Sequence, residues 1–278
     1  MKEFYKNFDH YYDFEGELQD HLKLAKNHRA DKGEIERTVN LYHPKKIAYK
    51  VSQIQQENDT VRTLCLESVT GYLPPFIAGQ FILVNIVNEQ TKATKAVYLA
   101  SSPAQRDHYE ITVSANATDL VSKYLYHLKV GDPLTSSGPF GEFTYNNAYQ
   151  GENLVFVGTQ DNTAPIKSIV TDQLERGRDN LNIHMIVITN DEGSALYHNE
   201  LKTLANTTNI NLNFISPNTF TLQALQTLIN VPEKYRYFLI GTNDETEAWK
   251  TEINKLEIKS NHIRVENPYV SQKDLLHA

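Results

Sequence analysis

The sequence predicts a closed, six-stranded β-barrel followed by a doubly wound parallel α/β domain, with a helical extension ahead of both. Three observations lead there. Residues 45–150 carry short alternating or apolar runs rich in Tyr, Val, Ile and Thr, punctuated by Gly71, Pro74, Pro75, Gly79 and Pro103. Residues 151–278 alternate compact apolar runs with stretches of helical spacing, the rhythm of parallel βαβ units. Residues 1–44 are charged and rich in Tyr and His, with helical rather than strand character.

Taken in order, the extension holds two weakly amphipathic helix candidates, GELQDHLKLAKNHR and KGEIERTVNLYH, and Pro44 ends the second. Barrel strands follow in IAYKVSQIQQ, TVRTLCLESV, GQFILVNIV, KAVYLAS and HYEITVSA. One helix, ATDLVSKYLYHL, interrupts them before KVGDPLTSSGPFGEF returns to a strand and closes on a Gly-Pro turn. Six short strands with a single helix fit a small barrel. In the second domain LVFVGT, NIHMIVIT, INLNFIS, RYFLIGT and HIRVE are strands, and APIKSIVTDQLERG, SALYHNELKTLAN, FTLQALQTLIN and ETEAWKTEINKLE are helices. Right-handed crossovers then place helices on both faces of the sheet. A barrel beside such a domain leaves an interdomain cleft, a preferred ligand site.

At 278 residues the chain suffices for one large domain or two ordinary ones. A net charge of -7 argues against wholesale nucleic-acid binding. No apolar run reaches the ~18 residues of a membrane span. The polar, acidic start MKEFYKNFDHYYDFEGELQDH is unlike a signal peptide, so a cytoplasmic location is expected. The single cysteine, Cys65, excludes an intrachain disulfide and a cysteine-built zinc or iron–sulfur centre, and its strand-like surroundings favour an inert buried thiol over a reactive one. His21 and His28, seven residues apart, could share a helix face as haem or metal ligands, but scattered surface histidines read the same way, and no metal site is expected. H-E-x-x-H, G-x-S-x-G and G-x-x-x-x-G-K-[ST] are all absent. The aromatic cluster Phe4, Tyr5, Phe8, Tyr11, Tyr12 and Phe14 is expected to dock on the barrel or on a second copy of the chain.

Four stretches, PFIAGQFILVNI, KAVYLASSP, LVSKYLYHLKVGDPLTSSGPFGEF and LVFVGTQDNTAPIKSIVTDQLERG, occur in an order that resembles the ferredoxin–NADP reductase superfamily, over roughly residues 47 to 266. The resemblance implies a barrel that binds FAD or FMN and an α/β domain that binds NADH or NADPH. In that family nicotinamide passes hydride to the flavin, and electrons go on to an acceptor.

The family's flavin motif, Arg-x-Tyr-Ser, reads Ala96-Val97-Tyr98-Leu99 here and continues through Ala100, Ser101, Ser102 and Pro103. The resemblance implies that Tyr98 stacks on the flavin ring, where an aromatic face excludes water; a core-facing strand tyrosine is the other reading. Ala96 stands in place of the phosphate-pairing arginine. Lys95 is next to it, but strand alternation points it to the opposite face unless a bulge intervenes. With Leu99 in place of serine, only its backbone N–H and C=O remain. Ser101 and Ser102 either donate to ring or ribitol oxygens or are solvated turn hydroxyls. Val121, Ser122 and Lys123 match the helix start whose amides meet the flavin pyrophosphate in the family; a solvent-facing helix start is the alternative. Gly138-Pro139-Phe140-Gly141-Glu142 matches the turn out of the barrel and is read as structural.

On the nicotinamide side, Gly158, Thr159 and Thr163 bracket the position of the pyrophosphate turn, and Gly241 belongs to a second loop. The family's Gly-Gly-x-Gly-x-Thr-Pro aligns with Thr159, Gln160, Asn162, Ala164 and Pro165, so its three glycines are lost and Asp161 adds a negative charge. The family's Cys-Gly-x-x-x-Met reads Ile240-Gly241-Thr242-Asn243-Asp244-Glu245. VITNDEGSALYHNE has acids and no arginine to catch an NADP 2′-phosphate. NADH or NADPH binding is therefore expected to be absent, weak or rearranged.

Two functions follow from the resemblance. One is a flavin-dependent oxidoreductase moving electrons between NAD(P)H and an acceptor outside this chain, through FAD or FMN, with the flavin rather than a side chain carrying the chemistry. The other is a non-catalytic or weakly flavin-binding descendant that regulates or assembles, or a flavoprotein reduced by a partner protein. A homodimer through the N-terminal extension is a further expectation.

Overall fold

The computed structural model describes residues 29–87, 92–146, 150–178 and 180–268. Strands β1 (Ile47–Gln56), β2 (Val61–Ser68), β3 (Phe81–Val87), β4 (Lys92–Tyr98), β5 (Tyr109–Ser114) and β6 (Pro133–Phe140) form one antiparallel sheet in the order β4-β3-β6-β1-β2-β5. A bridge between Leu99 and Ile111 joins the two edge strands and curls the sheet into a barrel. Closure removes exposed sheet edges. Inside lie Tyr49, Val51, Leu64, Leu66, Ile82, Val84, Val97 and Ile111, with Val121 and Leu125 of a short helix inserted among them. Each such side chain contributes about 1.5–3 kcal/mol on full burial.

The other face of the barrel wall is also buried. Ala78, Phe81, Leu83, Ala96, Tyr98 and Phe143 join a cluster with Leu154, Phe156, Ile166 and Ile169 of the following unit. Gly79 is essential to this seam. Its φ is +97°, and a Cβ there would lie 1.9 Å from the Phe143 carbonyl oxygen and 3.1 Å from Ile169 Cδ1.

The second unit is a parallel sheet of β7 (Asn153–Thr159), β8 (Asn182–Ile188), β9 (Ile210–Ile215), β10 (Arg236–Ile240) and β11 (Ile263–Glu266), ordered β11-β10-β7-β8-β9. The order reverses at β7, which opens a crevice beyond the carboxyl ends of β7 and β10. Numbering helices along the chain, α1 is Arg29–Tyr42, α2 is Leu120–Tyr126, α3 is Ala164–Glu175, α4 is His198–Thr207, α5 is Leu222–Leu228 and α6 is Asn243–Asn254. Ile166, Ile169 and Val170 of α3 and Leu201 of α4 cover the barrel side of the sheet; Leu225 of α5 with Trp249 and Ile253 of α6 cover the other.

Both sheets and the interrupting helix occur where the sequence predicts them, with ends moved by a few residues. The largest shift is at α4, expected over 194–206. A 3₁₀ turn at Glu192–Ser194 and a left-handed Tyr197 (φ 58°) delay its start to His198. The second extension helix is α1, whose end rests on the barrel: the Tyr72 hydroxyl donates to the Leu41 carbonyl at 2.7 Å, and His43 stacks on Phe140. The first candidate, apart from Arg29, lies outside the described residues, as do His21, His28 and the aromatic cluster. Among the described residues no helix is long and apolar enough to cross a membrane.

The two units are joined by polar contacts as well as by the shared core. The Ser168 hydroxyl donates to the Ser101 carbonyl at 2.6 Å, and Arg264 donates to the Thr144 carbonyl at 3.1 Å. Lys167, almost fully buried, reaches Glu110 of the barrel at 3.2 Å and Glu200 of α4 at 3.3 Å.

Candidate cofactor cleft

A cleft of about 400 Å³ opens between the barrel and the parallel sheet. Its barrel wall is the end of β4 (Lys95 to Tyr98), β5 from Thr112 to Ser114, and the loop into α2 with Asp119 and Ser122. Its other wall is Gln160, Asp161 and Asn162 of the β7–α3 loop, with Ala164, Pro165, Leu196 and Pro268. The topology explains the assembly: β4 ends where the barrel closes, and the β7–α3 loop lies at the sheet's switch point.

Tyr98 lines the cleft while remaining 8% exposed. Its ring packs edge-on against Phe81 at 5.5 Å, and its hydroxyl donates to Glu266 Oε1 at 2.8 Å. Burial and the Glu266 charge push the phenol well above its usual value, so Tyr98 is a neutral donor. The two sequence readings of Tyr98 are thus compatible: it is a core-packed residue with one boundary on the cleft.

Lys95 follows the strand alternation, on the Val97 side that faces α2 and opposite to Ala96 and Tyr98. The β3–β4 register runs unbroken from Phe81↔Tyr98 to Val87↔Lys92, so no bulge re-aims it. The long side chain nevertheless borders the same cleft, and its ammonium bonds Asp119 Oδ2 at 2.6 Å and Ser122 Oγ at 2.7 Å. Alternation sets the face, and the four methylenes carry the charge along it to the start of α2.

Asp119 caps α2 and accepts the Ser122 backbone N–H at 2.8 Å. Burial alone would raise its carboxyl, but hydrogen bonds from Lys95 and Ser122 hold it below the usual carboxylate range. A carboxylate therefore already occupies the anion-attracting corner made by Lys95 and Ser122. An Asp immediately before an apolar run is the N-cap signature that would have revealed it in the sequence. Of the other α2 residues singled out, Val121 is buried in the barrel and Lys123 is exposed, apart from the cleft lining.

The segment after Tyr98 serves the seam instead of the cleft. Leu99 is fully buried, its N–H bonded to the Gln80 carbonyl, and Ala100 N–H is bonded to Glu110. Ser101 accepts the Glu110 N–H at 3.2 Å, and Ser102 donates to Glu175 on α3. Both serines are buried, so they are not solvated turn hydroxyls.

The pyrophosphate turn keeps its place but its polar groups are mutually bonded. Gln160 N–H donates to Ile188 and Asn162 N–H to Thr159. The Gln160 side chain accepts from Thr189 at 2.6 Å and Ser194 at 3.0 Å, and Asn162 donates to the Thr159 hydroxyl at 2.8 Å. Thr163 is fully buried and provides no side-chain cap to α3. Gly158 is buried where a Cβ would lie 3.0 Å from Ile166 and 3.2 Å from Ile240, a packing role. Partial desolvation by its neighbours, then the Glu245 charge, raises the carboxyl of Asp161, which stays exposed. In the second loop the Thr242 N–H and hydroxyl both bond Glu245 Oε2 in a capping box, and a Cβ on Gly241 would meet that oxygen at 2.9 Å. Ile240 is fully buried and offers no polar group.

Comparison with known proteins agrees with this geometry. Residues 49–145 match the oxidoreductase FAD-binding domain family. The reductase component of phenol 2-monooxygenase from Pseudomonas sp. (strain CF600) is 35% identical over 107 residues, 37% of this chain and 29% of that protein. Ferredoxin–NADP reductase B from Sorangium cellulosum (strain So ce56) is 27% identical over 145 residues, 52% and 59% of the two chains. A solved ferredoxin NADP+ reductase from Neisseria gonorrhoeae with bound FAD and NADP superposes with a TM-score of 0.69 at 16% identity, over 81% of this chain and 99% of that one. Residues 49–145 are thus similar to that FAD-binding family, and the two-unit fold is the one seen in ferredoxin–NADP reductases. It spans 29% of the phenol 2-monooxygenase component and 33% of a Na(+)-translocating NADH-quinone reductase polypeptide of Shewanella putrefaciens.

Proposed function

We propose that this chain is a flavin-dependent oxidoreductase that moves electrons between NAD(P)H and an acceptor outside the chain, with FAD or FMN held in the cleft. In this reading residues 45–150 hold the flavin and 151–278 meet its reductant. The observation that carries it is the convergence of Tyr98, Lys95 and Ser122 on one cleft at the switch point of the sheet. The donor set fits a flavin: an aromatic wall for the ring, and an ammonium with a hydroxyl for a phosphate. Asp119 is the group of the wrong sign beside Lys95 and Ser122, with Asp161 on the opposite wall, and their retention predicts modest affinity. A bound flavin would supply hydride acceptance and single-electron release. The chain's own work is to border the ring with Tyr98, to hold the phosphate at Lys95 and Ser122, and to keep water from the seam with Phe81 and Leu196.

A second reading has its own support. The β7–α3 loop has its Gln160 and Asn162 N–H groups bonded internally and carries the acid Asp161. Those features favour a flavoprotein reduced by a partner protein, or a fold retained for assembly, over one reduced directly by nicotinamide. The relatives are reductase components, which supports an electron-transfer partner. A homodimer through residues 1–44 and a cytoplasmic location belong to the same proposal, tested by sedimentation and by cell fractionation.

The deciding experiment is an absorbance spectrum of the protein reconstituted with FAD and with FMN, before and after anaerobic NADH and NADPH. Bleaching by either nucleotide establishes the reductase. A retained flavin that stays oxidised moves the assignment to the partner-reduced reading. Failure to retain any flavin refutes both electron-transfer readings and leaves assembly alone.

A further inference from the structure

Apart from the cleft, one cluster among the described residues combines three different metal-binding side chains. Cys65 of β2 pairs directly across the sheet with Glu110 of β5, and His108, two residues before Glu110, falls on the same face. The thiol, an imidazole nitrogen and a carboxylate oxygen all lie within 4.8 Å of one another. The His108 Nε2 to Glu110 Oε1 separation is 3.7 Å. Tetrahedral zinc, with bonds of ~2.0–2.3 Å, sets its ligand atoms roughly 3.5 Å apart. Closing the triangle thus needs only small side-chain rotations. None of the three residues lines the cleft.

The surroundings orient the ligands. Glu110 divides its carboxylate: Oε2 is held by the buried Lys167 of α3 at 3.2 Å, leaving Oε1 on the His108 side. Gln105 Nε2 approaches the His108 ring nitrogens at 3.2 and 3.4 Å. Lys167 is an outer partner of the kind that fixes ligand geometry in metal sites, and the Gln105 amide would turn its oxygen to the ring to accept the His108 N–H that the metal leaves free. Cys65 is 7% exposed and His108 and Glu110 are half-buried, so the site has one open side for entry and for a water as fourth ligand.

We propose that Cys65, His108 and Glu110 form a zinc site that ties β2 to β5 and, through Lys167, ties the barrel to α3. A thiolate with an imidazole and one carboxylate selects a thiophilic divalent ion such as Zn²⁺ over Mg²⁺ or Ca²⁺. Binding forms the zinc–sulfur bond as the Cys65 thiol proton leaves to solvent, one proton per metal, with no redox change. The proposal does not depend on flavin or nicotinamide binding.

The test uses the full chain, stripped with a chelator, kept reduced without added thiol, and titrated with Co²⁺ and then Zn²⁺. Cys65 is the sole cysteine of the sequence, so a thiolate-to-cobalt charge-transfer band can arise only there. The expected result is that band saturating at one equivalent, lost on adding Zn²⁺. It should be absent in Cys65→Ser and weakened at least tenfold in affinity in His108→Ala and in Glu110→Gln. Lys167→Met should weaken binding by 10–100-fold while the band's shape persists, as expected for an outer partner. Far-ultraviolet circular dichroism confirms that each variant is folded, and the wild-type titration stands without them. Metal uptake with no charge-transfer band, which is what histidines elsewhere would produce, overturns the proposal. So does a band that survives unchanged in both His108→Ala and Glu110→Gln, which would mean a lone thiol.

Discussion

Asp119→Asn should tighten flavin binding. A phosphate accepting from both Lys95 and Ser122 would come within ~4 Å of the Asp119 carboxylate, which itself lies 2.6 Å from the Lys95 ammonium. Two unit charges at ~4 Å repel by about 1 kcal/mol in water and about 4 kcal/mol at an effective dielectric of ~20. The Asp119 side chain is 43% exposed, so the lower part of that range applies, about 1–2 kcal/mol, or roughly tenfold in dissociation constant. Asparagine is as good an N-cap as aspartate, so the Ser122 N–H keeps its acceptor and α2 its start. The lost Lys95 pair is partly exposed and costs about 0–1 kcal/mol of stability. Titration of FMN and FAD into both proteins, followed by flavin fluorescence at two salt concentrations, reads the difference; the gain should shrink at high salt. Equal or weaker binding by a folded Asp119→Asn protein refutes the idea that this carboxylate competes with the phosphate.

Other outcomes follow from the same geometry. Tyr98→Leu keeps apolar bulk beside Phe81 but removes the ring face, so flavin affinity should fall and the bound spectrum should change; unchanged titrations and spectra would remove Tyr98 from the site. Replacing Thr159, Gln160 and Asn162 together by glycine should improve NADH binding, and an unaltered titration would assign the block to Asp161 and the Glu245 loop instead. Asp161 has a folded-state pKa above its unfolded one, because of partial desolvation and then Glu245. Its favourable contribution is therefore complete below the unfolded value of ~3.9 and is lost as pH rises through the raised one. Asp161→Asn should accordingly raise Tm at pH 7 and hardly change it at pH 3; a gain equal at both would show that its charge is not the cause. Gly79→Ala, forced onto the Phe143 carbonyl at positive φ, should destabilise severely, and a wild-type midpoint in denaturant would contradict the seam described above.

The elements were legible because they are local. Alternation in YEITVS and helical spacing in APIKSIVTDQLE are visible in a short window, and each became a strand or helix in place. The loss of glycines in the β7–α3 loop was equally legible, since a side chain where none is tolerated needs no partner to be noticed. Residues whose role depends on reach or on a distant partner were not. Alternation placed Lys95 on the face opposite Tyr98, but the arrival of Asp119 and Ser122 on that face was not visible in a short window. Ser101 and Ser102 looked like ligands for a cofactor, and their partners proved to be Glu110, Glu175 and Ser168, close in space and distant in sequence. Asp119 lay in plain view as a cap signal, yet its significance came only from Lys95 arriving beside it.

Hydrophobic period and turn residues act over a few positions, so the barrel, the parallel sheet and their order were all settled by the order of amino acids. Folding alone brought particular polar groups into one space: Lys95 with Asp119, Tyr98 with Glu266, and Cys65 with His108 and Glu110. Each of these meetings is made by barrel closure, by strand pairing or by the seam between the two units. The physical reason is that charge and hydrogen bonding act through a few ångströms of space, and folding brings within that range residues as far apart in the chain as Tyr98 and Glu266.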